Sequence, residues 1–491
     1  MTTSALRHVS FLLLVALMPA AAASAATTVR LAADTLSIRA DRTPLSEILA
    51  RLQDAGIRVA MDERINPPIT ADFENVEIGQ GIKRILTDCD YALIFETIDG
   101  PDGKMSRLSE VLVYKPGDRR SLKAVPGPPP AVSQVPAATN VLTCLRNEVL
   151  LRLRPGVTGE QFRELLLRTG AAVVEGLPAL GIYRLRLPQD SDLAGILNTL
   201  GGDPLVANAE PNLVYQPILP VRSDATGSGP APRTASAVSG PSVAILDSGF
   251  MPNSLLEKAV VTSLDATAPG QAITDPAGHG TQMAFLASGS VTPAGAVAAA
   301  APVPIIPIRT LDDGGILSGY ALMKGMVFAV DNGARVISMS WGATADSPLF
   351  NSAVTYARQQ GAVLVAAAGN EPTGKPVYPA ALPEVVAVAA LAPDGNVWEQ
   401  SNYGSFVKLA APAFADLPVG YKGPPGLYGG TSIAAAYTAN VIAQYLAAHP
   451  SATAAEAVAA LARVLTPATQ SPGVLRPEIP RLDGKAVSAY R

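Results

Sequence analysis

Apolar residues follow three patterns along this chain: helical spacing, strict alternation and short continuous runs. In the first folded segment, about residues 30–115, the groups with helical spacing are Leu45, Ile48, Leu49 and Leu52, and then Ile78, Ile82, Ile85 and Leu86. Gly56 ends the first helix, and the alternation of Ile69, Ala71 and Phe73 predicts a strand. Further strands are predicted at Ile57–Met61, Tyr91–Glu96 and Leu108–Tyr114. The segment is therefore predicted to be a small α+β module.

A second segment, about residues 144–216, has the order β-α-β-β-α-β. Strands are predicted at Val149–Arg154, Ala171–Glu175 and Ile182–Leu187, and the second helix at Asp192–Leu200. Thr158 and Gln161 have the spacing of a capping box that opens the first helix. This order predicts a ferredoxin-like α+β module.

The third segment, residues 241–491, alternates continuous apolar runs with helical patterns. The predicted strands are Val243–Leu246, Ile305–Ile308, Val336–Ser340, Val363–Ala367 and Val385–Ala389. The predicted helices are Ser318–Val330, Leu349–Arg358, Ile433–Ala447 and Ala454–Val464. Such alternation predicts an α/β domain with a doubly wound, mostly parallel sheet, whose functional groups lie at the carboxyl ends of the strands.

Two stretches rich in Pro, Gly and Ser separate these segments. The first is residues 116–140, with three consecutive prolines at 128–130, and the second is residues 217–240. Both compositions predict exposed linkers.

The first 25 residues have the features of a signal peptide. Arg7 and His8 precede an apolar run from Phe11 to Ala23, and Ala23-Ser24-Ala25 forms a cleavage site of the A-x-A type. The run is shorter than the ~20 residues that span a bilayer. We therefore expect the signal to be removed, the mature protein to have no membrane span, and its location to be periplasmic or extracellular.

The composition argues against disorder and against nucleic-acid binding, and it leaves open whether the two cysteines are bridged. Apolar residues make up 48% of the chain and charged residues 16%, which indicates packed cores rather than disorder. The net charge of −4 and the lack of a basic stripe indicate that the protein does not bind nucleic acid. The two cysteines, Cys89 and Cys144, are compatible with a disulfide in an oxidising compartment or with two buried thiols.

Histidine is scarce, which limits the candidate catalytic bases. Of three histidines, His8 lies in the predicted signal peptide and His449 ends a predicted helix, which leaves His279. A lone histidine is more often structural than catalytic. Asp247 directly follows a buried strand, so its carboxylate needs a partner, which His279 can supply. A turn-capping Asp is the alternative.

Two further polar residues lie where serine catalysis would use them. Ser432 follows Gly429, Gly430 and Thr431 at the predicted start of a helix, where negative charge is favoured. An ordinary N-cap serine is the alternative. Asn370 ends a buried strand, where its side chain could donate to an oxyanion or form an Asx turn.

Taken together, five segments are similar, in the same order, to motifs of the subtilisin-like serine peptidases: VAILDSGF, GHGTQMA, VISMSWG, AAAGNEP and GGTSIAAA. The resemblance covers nearly all of residues 241–491. It implies that Asp247 orients the base, that His279 acts as general base and acid, and that Ser432 is the nucleophile.

The resemblance also implies the remaining parts of the site. Asn370 and the backbone N–H of Ser432 would form the oxyanion hole, and extended substrate would pair with three residues, Ser340, Trp341 and Gly342. Many relatives bind calcium in a loop that corresponds to Ser288–Pro302, but this stretch has no Asp, Glu or Asn. We therefore expect no metal there, and no cofactor.

The two smaller modules carry resemblances of their own. In residues 144–216, EVLLRLRPGVTGEQFRELL and VANAEPNLVYQP resemble the inhibitory propeptide that precedes subtilisin-like catalytic domains. An unrelated ferredoxin-like adaptor is the alternative. In residues 30–115, TPLSEILARLQDAGIRVAMDE and ITADFENVEIGQGIKRIL resemble the secretin/TonB short N-terminal domain, which would imply an envelope protein as partner.

These features predict an exported serine endopeptidase that acts on polypeptides and is made as a self-processed zymogen. The processing site is expected within residues 217–240. The alternative is a catalytically inert binding or scaffold protein of the envelope. An esterase or lipase is disfavoured because the chain lacks a G-x-S-x-G elbow and the matching order of catalytic residues.

Overall fold

The computed structural model describes residues 27–490 apart from 88, 116–120, 127–130, 137–140, 224–231, 235–238, 253–254, 269 and 468–477. The predicted signal peptide therefore lies outside the described residues. The described helices include none that is both long enough and apolar enough to cross a membrane.

The N-terminal module, residues 27–125, consists of two small sheets with two helices. Its elements are β1 (Thr28–Ala32), β2 (Thr35–Pro44), α1 (Leu45–Leu52), β3 (Arg58–Asp62), β4 (Pro68–Glu77), α2 (Ile78–Ile85), β5 (Asp90–Asp99), β6 (Lys104–Tyr114) and β7 (Leu122–Ala124). The sheets have the orders β1-β2-β4 and β5-β6-β3-β7. Both helices bury the apolar residues that their spacing predicted, and Gly56 adopts the left-handed conformation, with φ 75°, that ends the first helical segment.

The middle module, residues 131–217, has the predicted ferredoxin-like order with one extra strand. Its elements are β8 (Val132–Pro136), β9 (Val141–Leu153), α3 (Gly159–Thr169), β10 (Ala172–Leu177), β11 (Ile182–Arg186), α4 (Leu193–Gly201) and β12 (Val206–Pro217). The antiparallel sheet has the order β10-β11-β9-β12, and β8 pairs with β9. The predicted capping box of Thr158 and Gln161 is present at the start of α3.

The C-terminal domain, residues 240–490, is built on a seven-stranded sheet whose neighbouring strands all pair in parallel. Its strands, after the short β13 (Val221–Arg222), are β14 (Ser242–Asp247), β15 (Leu264–Asp265), β16 (Ile305–Arg309), β17 (Leu317–Ser318), β18 (Ala334–Met339), β19 (Trp341–Gly342), β20 (Val363–Ala367), β21 (Val385–Leu391), β22 (Leu409–Pro412), β23 (Phe414–Leu417) and β24 (Gly426–Gly429). Its helices are α5 (His279–Ala287), α6 (Gly319–Asp331), α7 (Pro348–Gln359), α8 (Thr431–Ala448), α9 (Ala454–Val464) and α10 (Gly484–Tyr490). The order of the large sheet is β15-β16-β14-β18-β20-β21-β22.

Side chains of β14 alternate between two apolar cores, one on each face of this sheet. Val243 and Ile245 pack in the core that contains α5 and α8. Ala244 and Leu246 pack in the core that contains α6 and α7, which is continuous with the core of the middle module. Because both faces are covered, the strands read as continuous apolar runs, and the doubly wound α/β prediction is confirmed.

The prediction that residues 116–140 and 217–240 are linkers rather than packed structure is wrong in three places. Leu122–Ala124 and Val132–Pro136 form strands that pair with β3 and β9. Residues 217–223 pair with strand edges of the C-terminal domain, and the described remainder of that stretch is 232–234 and 239–240. A Pro-rich composition limits interior strands, but short segments still pair with a free sheet edge. The two cysteines, Cys89 and Cys144, lie in different modules, and no disulfide joins them.

A buried carboxylate organises the middle module. Glu148 on β9 accepts hydrogen bonds from Arg184 at 2.9 and 2.6 Å, from Arg186 at 2.6 Å and from Asn212 at 2.6 Å. Asn212 in turn accepts a 3.1 Å bond from the backbone N–H of Tyr320, at the start of α6. The network therefore connects the middle module to the C-terminal domain.

We expect acid to destabilise the middle module through Glu148. Burial by itself raises the pKa of this carboxyl, but the charges of Arg184 and Arg186 and the bonds from Arg184 and Asn212 outweigh burial and lower the pKa from 4.5 to about 2. The stability that the ionised group supplies is thus complete above pH 4.5 and lost as the pH falls toward 2. Denaturant unfolding of the Glu148→Gln chain should show a flatter pH dependence across this window than the parent chain. Equal slopes would contradict the assignment.

Candidate active site

The structure brings Asp247, His279 and Ser432 to the carboxyl-terminal edge of the parallel sheet. Asp247 is the last residue of β14, His279 is the first residue of α5, and Ser432 is the second residue of α8. The Oδ1 atom of Asp247 lies 2.7 Å from Nδ1 of His279. All three side chains are buried, with exposed fractions of 5%, 1% and 0%. The sheet and two helices therefore fix the carboxylate, the imidazole and the hydroxyl.

The atoms that would react have no hydrogen-bonding partner. No described residue bonds to Nε2 of His279, to Oγ of Ser432 or to Oδ2 of Asp247. Buried polar atoms are nearly always satisfied, so an unsatisfied group calls for a functional explanation. Because the Asp247 carboxylate can only accept a hydrogen bond, its contact with Nδ1 favours the tautomer that has its proton on Nδ1. Nε2 is then left as an acceptor.

A second buried carboxylate, Asp275, holds the helix that carries His279. Its Oδ1 accepts from the Ser248 hydroxyl at 2.7 Å and from Gly278 N–H at 2.8 Å. Its Oδ2 accepts from the backbone and hydroxyl of Thr281 at 2.8 and 2.6 Å. Asp275 thus satisfies orphan N–H groups of the first turn of α5.

Sequence reasoning missed Asp275, although a signal existed. An Asp three residues before Gly278 and six before Thr281 has the spacing of a residue that caps the α5 N-terminus from the preceding loop. Its position before Pro276 gave it the appearance of an ordinary turn residue.

Two glycines beside His279 are required by close packing. Gly278 has φ 85°, and a Cβ there would lie 2.4 Å from the carbonyl oxygen of Gly420. A Cβ on Gly280 would lie 2.2 Å from the carbonyl oxygen of Gly249. Any larger residue at either position would push the start of α5, and His279 with it, away from these two loop carbonyls.

Asn370 is held in one orientation beside Ser432. Its Oδ1 accepts from the backbone and hydroxyl of Thr431 at 2.9 and 2.8 Å, which turns its Nδ2 toward the catalytic cleft. There Nδ2 donates a 2.8 Å bond to the carbonyl oxygen of Leu219. The geometry therefore favours an oxygen-binding role over an isolated Asx turn.

The chain itself occupies this cleft. We call residues 216–223 the strap. Gln216 and Pro217 pair antiparallel with Gly342 and Trp341, and Ile218 N–H donates a 2.8 Å bond to the carbonyl of Ser340. Beyond Leu219, Val221 and Arg222 pair with Gly429 and Tyr428 in β24, and Ser223 N–H bonds the Leu427 carbonyl at 2.9 Å. The strap therefore crosses the site as an extended peptide.

The strap borders two cavities. One, of about 620 Å³, is lined by Ile218 together with Gly342, Thr344, Gly369 and Val377. The other, of about 80 Å³, lies against His279, Trp341 and Tyr421. Both cavities therefore border the part of the strap that ends at Leu219, where they offer space for the side chains of an extended peptide.

The model of the subtilase family matches residues 238–477. These residues form a subtilase domain. The model of the fervidolysin N-terminal prodomain matches residues 130–212. The middle module is therefore a prodomain of this kind, placed directly before the subtilase domain.

Individual relatives agree with these matches. Thermitase of Thermoactinomyces vulgaris is 37% identical over 176 residues, which are 35% of this chain and 63% of thermitase, less than two thirds of that protein. The thermophilic serine proteinase of Bacillus sp. (strain AK1) is 26% identical over 328 residues, which are 64% of this chain and 81% of that protein. The crystal structure of fervidolysin from Fervidobacterium pennivorans shares the fold, with a TM-score of 0.55 and 20% identity over 70% of this chain and 60% of that chain.

Replacing Asp275 tests whether it positions His279. Asp275→Asn keeps the shape but turns one acceptor into a donor that faces donors, so α5 should shift and the labelling rate of Ser432 by a fluorophosphonate should fall about 10- to 100-fold. In steady-state peptide hydrolysis, kcat should fall while KM changes little. Ser248→Ala, which removes only the hydroxyl between Asp275 and Gly280, is the milder matched variant. A lower melting temperature with an unchanged labelling rate would limit Asp275 to a stabilising role.

Proposed function

We propose that this chain is an exported serine endopeptidase made as a zymogen, in which Asp247, His279 and Ser432 are the catalytic groups. The observation that carries the proposal is the strap. An extended peptide lies across the cleft with hydrogen bonds on both sides of Ser432 and with one carbonyl oxygen on Asn370. That arrangement is what hydrolysis of a peptide bond requires.

In the proposed mechanism, Nε2 of His279 takes the hydroxyl proton as Oγ of Ser432 adds to the substrate carbonyl. Asp247 keeps the imidazole oriented and stabilises the imidazolium that forms. Asn370 Nδ2 and the Ser432 N–H would donate to the oxyanion. His279 then gives its proton to the leaving amine, and water repeats the sequence to release the acid and restore the serine.

Recognition through main-chain hydrogen bonds supports a polypeptide substrate rather than an isolated ester. Ser340, Trp341 and Gly342 bind the strap backbone on one side of the Leu219 carbonyl, and β24 binds it on the other. Pairing of an extended peptide with a free strand edge is independent of its side chains, which lie in the bordering cavities. The substrate would therefore be recognised over several residues.

Contacts between the prodomain and the subtilase domain support an inhibitory prodomain. Glu210 bonds to the Ser347 hydroxyl and to the Leu349 N–H, at the start of α7. Asn212 bonds to the start of α6, and Glu175 forms an ion pair with Lys324. The last strand of the prodomain continues directly into the strap, so one module both docks on the domain and blocks its cleft.

The proposal also includes the location of the protein, and it has one alternative function to be weighed against it. The pattern of residues 1–25 supports export, either to the periplasm or out of the cell, and the N-terminal module resembles a domain for which an envelope protein would be the partner. An inert scaffold is the alternative function. Against it, all the catalytic positions are filled and the Asp247 to His279 bond has the length of a strong hydrogen bond.

Ser432→Ala should abolish fluorophosphonate labelling and peptide cleavage without unfolding the protein. The hydroxyl makes no hydrogen bond with any described residue, so its loss leaves the fold unchanged. Ser405→Ala, at an exposed serine, is the matched control and should retain both activities. The readouts are probe incorporation located by mass spectrometry and the melting temperature. Full activity in the Ser432→Ala chain would refute the proposal and favour the scaffold.

The intact chain should cut itself within residues 217–240. The strap presents this region to Ser432, and N-terminal sequencing of the C-terminal fragment will locate the cut. We predict a range of residues rather than one cleaved bond. The reason is that Pro220 follows the Leu219 carbonyl, which Asn370 binds, and restricts the backbone at that point. The Ser432→Ala chain should stay uncut. A wild-type protein that is active while still joined to residues 144–216 would show that the module is not an inhibitory propeptide.

A further inference from the structure

We propose that the N-terminal module docks on the prodomain and forms the second half of the inhibitor. Its partner would then be residues 131–217 of the same chain, and its role would be to keep the prodomain folded on the subtilase domain. The inhibitory consequence rests on the proposed zymogen, whereas the docking contact itself does not.

The first contact is at the N-terminus of α3. The side chain of Thr158 satisfies the Gln161 N–H within the capping box, but the preceding Gly159 N–H needs another acceptor. Asp102, in the β5–β6 turn of the N-terminal module, supplies it at 2.7 Å. An anionic acceptor at a helix N-terminus also interacts favourably with the helix dipole. Because α3 carries Phe162, which is fully buried in the prodomain core, this bond acts on the centre of that fold.

The second contact involves the middle of α3 and the residue before β10. Arg163 donates to Asp34 at 3.0 Å, and the backbone N–H of Ala33 bonds the carbonyl of Ala171 at 2.8 Å. The ion pair is about half exposed and contributes little by itself. The backbone bond is different, because it fixes the loop between β1 and β2 against the residue that precedes β10.

Apolar packing closes the same interface. Ala33, Ile98 and Met105 of the N-terminal module pack against the core that contains the prodomain. Gly56 approaches Val174 so closely that a Cβ on this glycine would lie 2.8 Å from the valine side chain. The two modules are therefore closely packed against each other at this interface.

A series of charged side chains extends from this interface to the subtilase domain. Arg107 of the N-terminal module, paired with Glu96, lies within electrostatic range of Glu175 on β10. Glu175 in turn pairs with Lys324 on α6. The N-terminal module therefore supports the strand from which the prodomain contacts the enzyme.

Such support matters because the prodomain is small. A module of fewer than one hundred residues buries a modest fraction of its surface, and its stability alone is marginal. The apparent affinity of an inhibitor falls in proportion to the fraction that is folded. A neighbour that docks on α3 and β10 raises that fraction, and so lengthens the time for which the cleaved inhibitor stays bound.

The test uses the full chain and compares two capping carboxylates of the same module. Asp102→Ala removes the acceptor that serves α3 of the prodomain. Glu77→Ala is the matched control, since Glu77 caps α2 of its own module. In the uncut Ser432→Ala background, Asp102→Ala should increase hydrogen exchange across residues 159–177, whereas Glu77→Ala should leave that exchange unchanged. In the active chain, Asp102→Ala should bring peptidase activity about three- to tenfold sooner after cleavage.

A charge reversal provides a second test, because misfolding would not be corrected in the double variant. Asp34→Arg and Arg163→Asp should each hasten the appearance of activity, and the double variant should return it toward the parent rate.

The outcomes separate the two proposals. Normal fluorophosphonate labelling with equal activation rates and equal exchange in all variants would overturn the docking proposal and leave an envelope protein as the partner. Exposed Ile94 and Phe95 on β5 would then be the first surface to probe. Absence of cleavage and of labelling in every chain that retains Ser432, the parent included, would instead refute the zymogen, while the exchange experiment would still report on docking.

Discussion

Main-chain hydrogen bonding along one extended segment, residues 206–223, holds this molecule in its closed form. Its first part, residues 206–213 of β12, pairs with β9 inside the prodomain. Its second part pairs with β17 and β19, and its third part pairs with β24. Each of those strands of the subtilase domain presents an edge that would otherwise have unpaired N–H and C=O groups, and this segment satisfies them. In the proposed function, the edges at β19 and β24 are also the ones that a substrate backbone would use.

Beneath the strap, rigidity comes from two buried carboxylates with different tasks. Asp247 is bonded to the imidazole itself, whereas Asp275 is bonded to the helix that carries the imidazole. Glycines at 278 and 280 let the start of that helix pack closely against the carbonyls of Gly420 and Gly249 in the neighbouring loops. A site built on strand and helix ends keeps its geometry when the strap leaves, because none of these bonds involves the strap.

Much of this arrangement was predictable from the sequence, and the failures have a common cause. Periodicity placed the helices and strands, and the scarcity of histidine singled out His279. Contacts across long sequence separations could not be predicted. Examples are the hydrogen bonds that Asn212 accepts from the Tyr320 N–H and that Glu210 accepts from the Leu349 N–H. The strand at Val221–Arg222 belongs to the same class, since two residues in a Pro- and Gly-rich stretch pair only because β24 offers an edge. Local pattern carries no information about which edge or helix end will be near.

The same kind of contact recurs at both interfaces between the modules, and it differs from what holds each core together. Asp102 bonds the start of α3, Asn212 the start of α6 and Glu210 the start of α7, and in each case the acceptor comes from the neighbouring module. A helix N-terminus exposes N–H groups that water can also satisfy, so separation leaves no buried group unpaired. Apolar cores lack that property, because opening them exposes surface that water does not favour. Helix caps therefore give each interface directional contacts that water can replace, beside the apolar packing that the same interfaces contain.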